Sequence, residues 1–182
     1  MNREDVIKEV AETEQVDFEL IDAIANKLDL VDDDIGYISI NGSVLEINSM
    51  EYLITKDYDE AVELAVESMF ELVKEFYGTG TSIELSEFAT KELINIIGER
   101  IDLSEYAIEG DDGEEYIPND IWELTEEHGY DKLELIITNA TSSDYREIAE
   151  YIVRIDGVGV TLASYDHDEI ELHNGNWLFR TI

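Results

Sequence analysis

The side chains whose types and spacing could do chemistry in this chain are mostly carboxylates. In the stretch EAVELAVESMFELVKE, Glu63, Glu67, Glu71 and Glu75 recur every four residues, and Lys74 is the only cation. A helix would place these four glutamates on one face, where like charges four residues apart cost about 0.2–0.5 kcal/mol for each pair. The three pairs therefore cost about 1 kcal/mol. A row that costs stability indicates a binding role, as a fixed array of negative charge for a positively charged partner.

Further acidic clusters lie outside this glutamate row. In chain order they are Asp32, Asp33 and Asp34; Asp111, Asp112, Glu114 and Glu115; Glu126 and Glu127; and Asp166, Asp168 and Glu169. Together with the glutamate row they are the candidate partner-binding residues. The alternative is a solvated surface on an acid-biased protein, which salt adaptation would produce everywhere. The abundance of isoleucine and asparagine argues against salt adaptation.

Metal sites have less support than partner binding. His167 lies in DHDE and His173 follows six residues later, but in a strand these positions are about 20 Å apart, too far to share one ion. The acidic stretches DDD and EGDDGEE offer oxygen ligands for calcium, yet neither has the spacing of an EF-hand loop. His128, near the end of a helix, is expected to be structural. We therefore expect neither a metal site nor a cofactor.

Catalytic motifs are also missing from the sequence. With no cysteine, the chain has no disulfide, thiolate zinc site or cysteine nucleophile. It has no G-x-S-x-G motif, and GTGTS lacks the lysine of a phosphate-binding loop. Close carboxylate pairs arise by chance among 46 acids, so they do not identify an acid/base centre. We expect the protein not to be an enzyme.

The overall charge restricts the class of partner. The 182 residues carry 46 Asp and Glu against 11 Lys and Arg, a formal net charge of −35, while 44% are hydrophobic, enough for a real core. This charge excludes nucleic acid as a simple electrostatic ligand and disfavours anionic membranes. No apolar run is long enough for a membrane span, and MNREDVIKEV lacks the features of a signal peptide. We expect a cytoplasmic protein whose partner is a basic, nucleic-acid-handling protein.

The first 30 residues are predicted to form a helical hairpin. The apolar stripe of its first helix is Val6, Ile7, Val10 and Ala11. Asp17 is the expected N-cap of the second helix, with Val16 and Ile21 placed as a hydrophobic staple. A DNA-reading helix-turn-helix is disfavoured because the second helix is acidic. Residues 31–182 are predicted to form an α+β body, and the whole chain one compact domain.

The elements of this body follow from periodicity and turn signals. GYISINGSVLEI predicts a hairpin with a type I′ turn at Asn41-Gly42, and EYLIT a third strand. Residues 59–77 form the helix that carries the glutamate row, and residues 86–99 a further helix. Turn-rich residues 109–120 lead to a short helix opened by Pro118 or Asn119.

The C-terminal third continues this alternation. LELIITN predicts a strand, and GVGVTLASY predicts another. SSDYREIAEYIVRI predicts a helix whose buried side chains are Tyr145, Ile148, Ile152 and Ile155. EIELHNGNWLFRT predicts a hairpin on Asn174-Gly175. The fold class is therefore α+β, with antiparallel β-hairpins packed with several amphipathic helices and an N-terminal helical hairpin.

The size, the extreme acidity, the lack of cysteine and the α+β pattern resemble those of small acidic anti-defence proteins of phages and mobile elements. EYLITKDYDEAVELAVESMFELVKEF and SYDHDEIELHNGNWLFRTI are similar to stretches of phage proteins from low-GC Gram-positive bacteria. Within that group, the chain most resembles anti-CRISPR inhibitors of Cas9-type (type II) effectors. This resemblance implies a protein that binds a Cas9–guide RNA complex in the bacterial host cell and blocks target DNA binding or cleavage.

Three alternatives stay open beside this interpretation. The first is an antirestriction protein that mimics DNA, and the second is an enzyme that inactivates the effector or its guide RNA. The third is a structural or calcium-buffering protein, for which we would expect a metal-dependent melting temperature.

Overall fold

The computed structural model describes residues 2–79, 87–109 and 113–182. Helices and antiparallel sheets make up an α+β fold, as predicted. The chain divides into two compact units: unit 1 contains Met1–Ala65 and Val153–Ile182, and unit 2 contains Val66–Ile152. None of the helices in the described ranges is both long and apolar enough to cross a membrane.

Helices account for most of the regular structure. In chain order they are α1 (Arg3–Glu14), α2 (Phe18–Lys27), α3 (Asp32–Ile35), α4 (Tyr58–Thr79), α5 (Glu87–Gly98), α6 (Lys132–Asn139), α7 (Ser142–Asp156) and α8 (Val158–Leu162). A 3₁₀ turn covers Leu103–Tyr106 and a π-helical turn covers Glu123–Glu127. The strands are β1 (Ser39–Asn41), β2 (Val44–Ile47), β3 (Met50–Thr55), β4 (Ile108–Glu109), β5 (Glu115–Tyr116), β6 (Glu169–Glu171) and β7 (Trp177–Arg180).

The predicted N-terminal helical hairpin is confirmed by α1 and α2. The side chain of Asn2 accepts a hydrogen bond from the backbone N–H of Asp5, and the Asp5 carboxylate reaches back to the Asn2 N–H, so a capping box starts α1. Asp17 is the N-cap residue of α2, although its side chain accepts no hydrogen bond from the first turn of that helix. The buried faces of both helices pack with the sheet in one hydrophobic core in unit 1.

The five strands of unit 1 form an antiparallel sheet with the order β1-β2-β3-β7-β6. Both predicted hairpins are present, but the turn at Asn41-Gly42 is not of type I′. Asn41 pairs with Val44, so Gly42 and Ser43 are the central residues, and only Gly42 has a positive φ, +63°. This pattern is that of a type II′ turn.

The type I′ turn lies one hairpin later. Ile47 pairs with Met50, and the central residues Asn48 and Ser49 have φ values of +48° and +70°. Positive φ at both central residues is the requirement of a type I′ turn, whose twist matches that of the flanking strands. Sequence reasoning placed this turn at the only Asn-Gly pair in the segment and thus missed a turn without glycine.

The outer edge of the sheet at β1 is closed by a side chain. Ile40 has its N–H directed away from β2, and it donates a hydrogen bond of 2.7 Å to the Glu14 carboxylate at the end of α1. A backbone donor of an edge strand is thereby satisfied within the unit.

The strand predicted for GVGVTLASY is wrong, because Val158–Leu162 forms the short helix α8. Gly157, with φ +92°, redirects the chain at the end of α7, and the N–H of Ala163 closes the turn on the carbonyl of Gly159 at 2.8 Å. The buried pair Val158 and Gly159 faces the interior of unit 1. Burial in a single helical turn gives the same short apolar pattern as a strand.

Unit 2 has its own hydrophobic core, built from helices. Its fully buried side chains include Val73, Tyr77, Leu93, Ile94, Ile97, Leu124 and Ile136. The helix predicted for residues 59–77 is confirmed by α4, and the helix predicted for residues 86–99 by α5.

The strand predicted for LELIITN is also wrong, since Lys132–Asn139 forms α6. The Asp131 side chain accepts hydrogen bonds from the N–H groups of Leu133 and Glu134 at 2.8 and 3.4 Å. This N-cap starts a helix and offsets the strand preference of the β-branched residues in the segment.

The remaining predictions for residues 109–155 are partly confirmed. The helix α7 forms as predicted, but Ile155 near its end is 62% exposed instead of buried. The short helix opens at Asp120 and not at Pro118 or Asn119, because the Asp120 carboxylate accepts hydrogen bonds from the N–H groups of Trp122 and Glu123. The predicted loop 109–120 contains β5 and the last residue of β4, with which β5 pairs.

Candidate functional site

The glutamate row lies on the outer face of α4, as predicted. Glu63, Glu67, Glu71 and Glu75 are all exposed, whereas Ala61, Ala65, Val66, Val73 and Tyr77 are buried on the other side. With a rise of about 1.5 Å per residue, neighbouring glutamates are about 6 Å apart along the helix, and the row is about 18 Å long. The helix thus displays a straight line of carboxylates to solvent.

The start of α4 is held by carboxylates too. Asp57 accepts a hydrogen bond of 2.8 Å from the N–H of Glu60, and the Glu60 carboxylate accepts one of 2.7 Å from the N–H of Lys56. These bonds satisfy backbone donors ahead of and within the first turn, so the beginning of the row is well anchored.

Two members of the row have cationic partners. Glu67 lies 3.1 Å from Nη1 of Arg146, and Glu71 lies 3.3 Å from Nζ of Lys74. Both cations also lie over the ring of Phe70, at 5.5 Å for Lys74 and 5.6 Å for Arg146. Exposed ion pairs contribute about 0–1 kcal/mol each, so this group offsets part of the self-repulsion of the row.

Sequence reasoning found Lys74 but missed Arg146, which is 79 residues from Glu67 in the chain. Glu63, by contrast, has no ion pair with any residue of the described ranges. Beside the row, Leu64 and Leu72 are 39% and 41% exposed. The outer face of α4 therefore combines carboxylates with two leucines.

The cluster Asp32, Asp33 and Asp34 forms most of α3 in unit 1. Asp32 lies 3.7 Å from Nη1 of Arg3, and Asp34 accepts a hydrogen bond of 2.8 Å from Asn48 Nδ2. Asp33 is exposed.

The cluster Asp166, Asp168 and Glu169 lies just before β6 and at its first residue. Asp166 is 4.0 Å from Nη1 of Arg180 and accepts a hydrogen bond of 3.0 Å from the N–H of Asp168. The Glu169 carboxylate accepts from the N–H of Gly159 at 2.7 Å and from the Tyr58 hydroxyl at 3.1 Å. Glu169 thus supports the fold of unit 1. Asp168 is exposed and forms no ion pair with any of the residues 2–79, 87–109 and 113–182.

The strand register places these two clusters at the same end of the sheet. Asp34 is bonded to Asn48 in the turn between β2 and β3. Asp166 is next to Arg180, which lies opposite Tyr52 near the start of β3. Because β7 runs antiparallel to β3, both aspartates lie near the end where β3 begins. Unit 1 therefore has one strongly acidic sheet end.

The acidic residues of the segment 109–127 are in unit 2, but Asp111 and Asp112 lie outside the described residues. Glu114 and Glu115 are exposed, and Glu115 lies opposite Glu109 across the β4–β5 pair. Like charges in directly opposite positions destabilise a strand pair. Glu126 forms an ion pair with Lys132, whose Nζ also lies 5.2 Å from the centre of the Trp122 ring.

Glu127 belongs to a group that sequence reasoning did not identify. One ligand atom from each of Glu123, Glu127 and His128 lies within 4.8 Å of the other two. The sequence signal is E-x-x-x-E-H at 123–128, but the position of His128 near the end of a helix predicts a structural role.

Ion pairing inside the chain leaves most of the acids uncompensated. Among the described residues, Arg3, Lys74, Arg100, Lys132, Arg146 and Arg180 each contact at least one carboxylate. Even if each of the 11 cations neutralised one acid, a net charge of −35 would remain.

Comparisons of the chain with protein-family models, curated proteins and solved structures found no match.

Proposed function

We propose that this protein is a non-enzymatic inhibitor that binds the DNA-contacting surface of a basic effector in the bacterial cytoplasm. The preferred effector is a Cas9–guide RNA complex, whose target DNA binding or cleavage would be blocked. The observation that carries this proposal is the exposed glutamate row on α4, in a chain with 46 acids and 11 Lys and Arg.

The geometry of the row supports mimicry of a nucleic-acid backbone. One strand of duplex DNA carries a charge for about every 3.4 Å of helix axis, so the row, at about 6 Å, has roughly half that linear density. The spacing is below the Debye length of about 8 Å at physiological salt, so the fields of neighbouring glutamates add. A groove lined by Lys and Arg would gain Coulomb attraction and counterion release from such a row.

The leucines beside the row support a protein partner instead of a free polycation. Leu64 and Leu72 are both exposed, and burying apolar surface stabilises a complex by about 25 cal/mol for each Å². In a Cas9-type effector, the surface that reads the short PAM duplex and the channel for the heteroduplex are the basic targets.

The experiment is a titration of the protein against a guide-loaded Cas9-type nuclease at two salt concentrations. Binding and cleavage of target DNA are both measured. We expect a stoichiometric loss of DNA binding that weakens at the higher salt concentration. Full nuclease activity at a large excess of the protein would overturn the Cas9 assignment. Substoichiometric inhibition with a covalently altered effector or guide RNA would overturn the non-enzymatic mechanism.

A matched pair of variants tests the row itself. In the first, Glu63, Glu67, Glu71 and Glu75 are replaced by Gln. In the control, Glu4, Glu9, Glu12 and Glu19, which are exposed on α1 and α2, are replaced by Gln. Both variants lose four negative charges, but only the first variant loses the glutamate row.

We expect the row variant to inhibit at least tenfold more weakly than the control. Equal weakening of both variants would show that total charge, and not the row, determines binding. Unchanged inhibition by both would show that the row is not the contact. Circular dichroism of each variant checks that α4 remains folded.

A further inference from the structure

The group Glu123, Glu127 and His128 combines an imidazole with two carboxylates at the π-helical turn of unit 2. We propose that these three side chains bind a divalent first-row transition-metal ion, with Zn²⁺ as the representative. This site is separate from the proposed contact on α4 and does not depend on it.

The π-helical turn is what brings the three side chains together. The N–H of His128 donates to the carbonyl of Glu123 at 3.2 Å, a bond that spans five residues. In an α-helix, His128 would be rotated by about 140° from Glu123. The π-helical turn contains one residue more between its hydrogen-bonded groups than an α-helical turn does. Glu127 and His128 therefore both lie on the same side of the helix as Glu123.

The distances suit a small ion. The ligand atoms lie within 4.8 Å of one another, whereas ligands about 2.1 Å from a tetrahedral zinc are about 3.4 Å apart. Closing this difference takes a movement of about 1 Å by flexible glutamate side chains. Three protein ligands leave the fourth position of a tetrahedral ion to solvent.

The chemistry of the donors selects the class of metal. Imidazole nitrogen is a good ligand for Zn²⁺, Ni²⁺ and Co²⁺, while Mg²⁺ and Ca²⁺ prefer oxygen ligands only and more of them. A site with one imidazole and two carboxylates therefore favours a transition-metal ion over the alkaline-earth ions that are abundant in cells.

Neighbouring groups hold the ligands in place. Oε2 of Glu123 accepts hydrogen bonds of 2.7 Å from both the N–H and Nδ2 of Asn119, and these two bonds hold the carboxylate in place. Within the described part of the chain, its other oxygen accepts no hydrogen bond. The Tyr116 hydroxyl is hydrogen-bonded to Nε2 of His128 and orients the ring. Such outer contacts are typical of the partners that orient metal ligands.

The local charge also favours a cation. Within the described ranges, neither Glu123 nor Glu127 forms an ion pair with Lys or Arg. Two carboxylates close together without a counter-charge repel each other, and a bound divalent cation would turn this repulsion into attraction.

The test is isothermal titration calorimetry of ZnCl₂ into the 182-residue chain after removal of any purification tag. The variants His128→Ala and Glu127→Gln remove one ligand each. The controls His167→Ala and His173→Ala remove the other two histidines, which also lie near carboxylates, since His167 is between Asp166 and Asp168 and His173 is 3.9 Å from Asp22.

We expect wild type to bind one equivalent of Zn²⁺ more tightly than any further equivalents. The affinity for this first ion should be at least tenfold weaker in each ligand variant and within twofold of wild type in both controls. Millimolar Mg²⁺ should not compete. Binding that survives His128→Ala, falls equally in the controls or is displaced by Mg²⁺ would overturn the proposal and indicate general attraction to an acidic surface.

Two further measurements keep the result independent of folding. Thermal unfolding in EDTA must give the same melting temperature for Glu127→Gln as for wild type, because the Glu127 side chain is exposed. In NMR spectra, added Zn²⁺ should shift the ring resonances of His128 and leave those of His167 and His173 in place. A shift of all three rings would contradict a specific site.

Discussion

Arg100 and Asp144 form a two-pronged ion pair that links the end of α5 to the start of α7. Nη1 of Arg100 donates to Oδ1 of Asp144 at 2.7 Å, and Nη2 donates to Oδ2. The Asp144 side chain is only 5% exposed, and its Oδ2 also accepts from the N–H and the hydroxyl of Thr141 at 2.5 and 2.8 Å. One carboxylate thus completes a helix cap and holds a residue 44 positions away.

The substitution Asp144→Asn should destabilise the protein by about 2–3 kcal/mol. Breaking a buried ion pair costs about 3–5 kcal/mol, but the Arg100 side chain is 42% exposed and can regain water. Urea unfolding at neutral pH measures the change. The control is Asp33→Asn at an exposed position of α3, and this variant should stay within about 0.5 kcal/mol of wild type. Equal effects of both variants would contradict the importance of the pair.

The same pair predicts a pH dependence. Burial raises the pKa of Asp144, but hydrogen bonds from Arg100 and Thr141 outweigh burial and hold the pKa below its ordinary value. A lowered pKa in the folded state gives stability that is present above the unfolded pKa of about 3.9 and is lost as the pH falls through the folded pKa. The difference in unfolding free energy between wild type and Asp144→Asn should therefore be constant from about pH 7 to 5 and shrink below about pH 4. A difference that grows on acidification would contradict this assignment.

Arg146 should stabilise α4 through Glu67 and Phe70. We expect Arg146→Gln to lower the unfolding free energy by about 1 kcal/mol at low salt, since it removes an exposed ion pair and a cation–π contact. Lys8→Gln, an exposed cation on α1, is the control for loss of one positive charge. The gap between the two variants should narrow in 1 M salt, where the Debye length is about 3 Å. Identical losses at both salt concentrations would count against the pairing.

The turn at Asn48-Ser49 offers a stabilising change. Ser49 has a φ of +70°, a conformation that glycine adopts without steric cost. Ser49→Gly should raise the unfolding free energy by about 0.5–1 kcal/mol, because the left-handed conformation costs a non-glycine residue about 1–2 kcal/mol, whereas the backbone entropy of glycine costs about 0.5–1 kcal/mol. At the turn between β1 and β2, Ser43 has no positive φ, so Ser43→Gly should be neutral or destabilising. Thermal melts of both variants make the comparison, and a stabilising Ser43→Gly would contradict the turn assignment.

Gly159 should not tolerate a side chain. A Cβ atom at this position would lie 2.4 Å from the carbonyl oxygen of His167 and 2.8 Å from Cγ of Glu169. Gly159→Ala should therefore destabilise unit 1 by about 2–3 kcal/mol in denaturant unfolding. At Gly36, a Cβ would lie 3.4 Å from its nearest neighbour, so Gly36→Ala should change stability by less than about 0.5 kcal/mol. If the two variants changed stability by similar amounts, the close packing of α8 against His167 and Glu169 would be contradicted.

Periodicity and turn residues were sufficient to predict the long elements. The helices α4 and α7 have apolar residues at helical spacing over many turns, and the hairpins have alternating residues around glycine-containing turns. The short elements α6 and α8 were predicted as strands because a run of five to eight apolar residues fits either structure. Their helical form depends on Asp131 as a cap and on the positive φ of Gly157.

The candidate site was predictable only where it lies on one element. The glutamate row follows from a spacing of four residues on a single helix. The pairing of Glu67 with Arg146 depends on how distant parts of unit 2 pack, and the grouping of Glu123 with His128 depends on a π-helical turn. Neither the Glu67–Arg146 pair nor the Glu123–His128 group has a local sequence pattern that distinguishes it from the surface of an ordinary helix.

The hydrogen bond between Glu14 and Ile40 lies on an edge strand, where the acidity of the chain also affects association between molecules. Above the isoelectric point of about 4.1, mutual repulsion keeps molecules apart, and Glu14 covers a backbone donor on the edge of the sheet. Acidification to the isoelectric point removes the net charge and with it the mutual repulsion. The β1 edges of two molecules can then approach each other without electrostatic repulsion. Pairing of strands between molecules is therefore favoured in the pH range in which the protein loses its net charge.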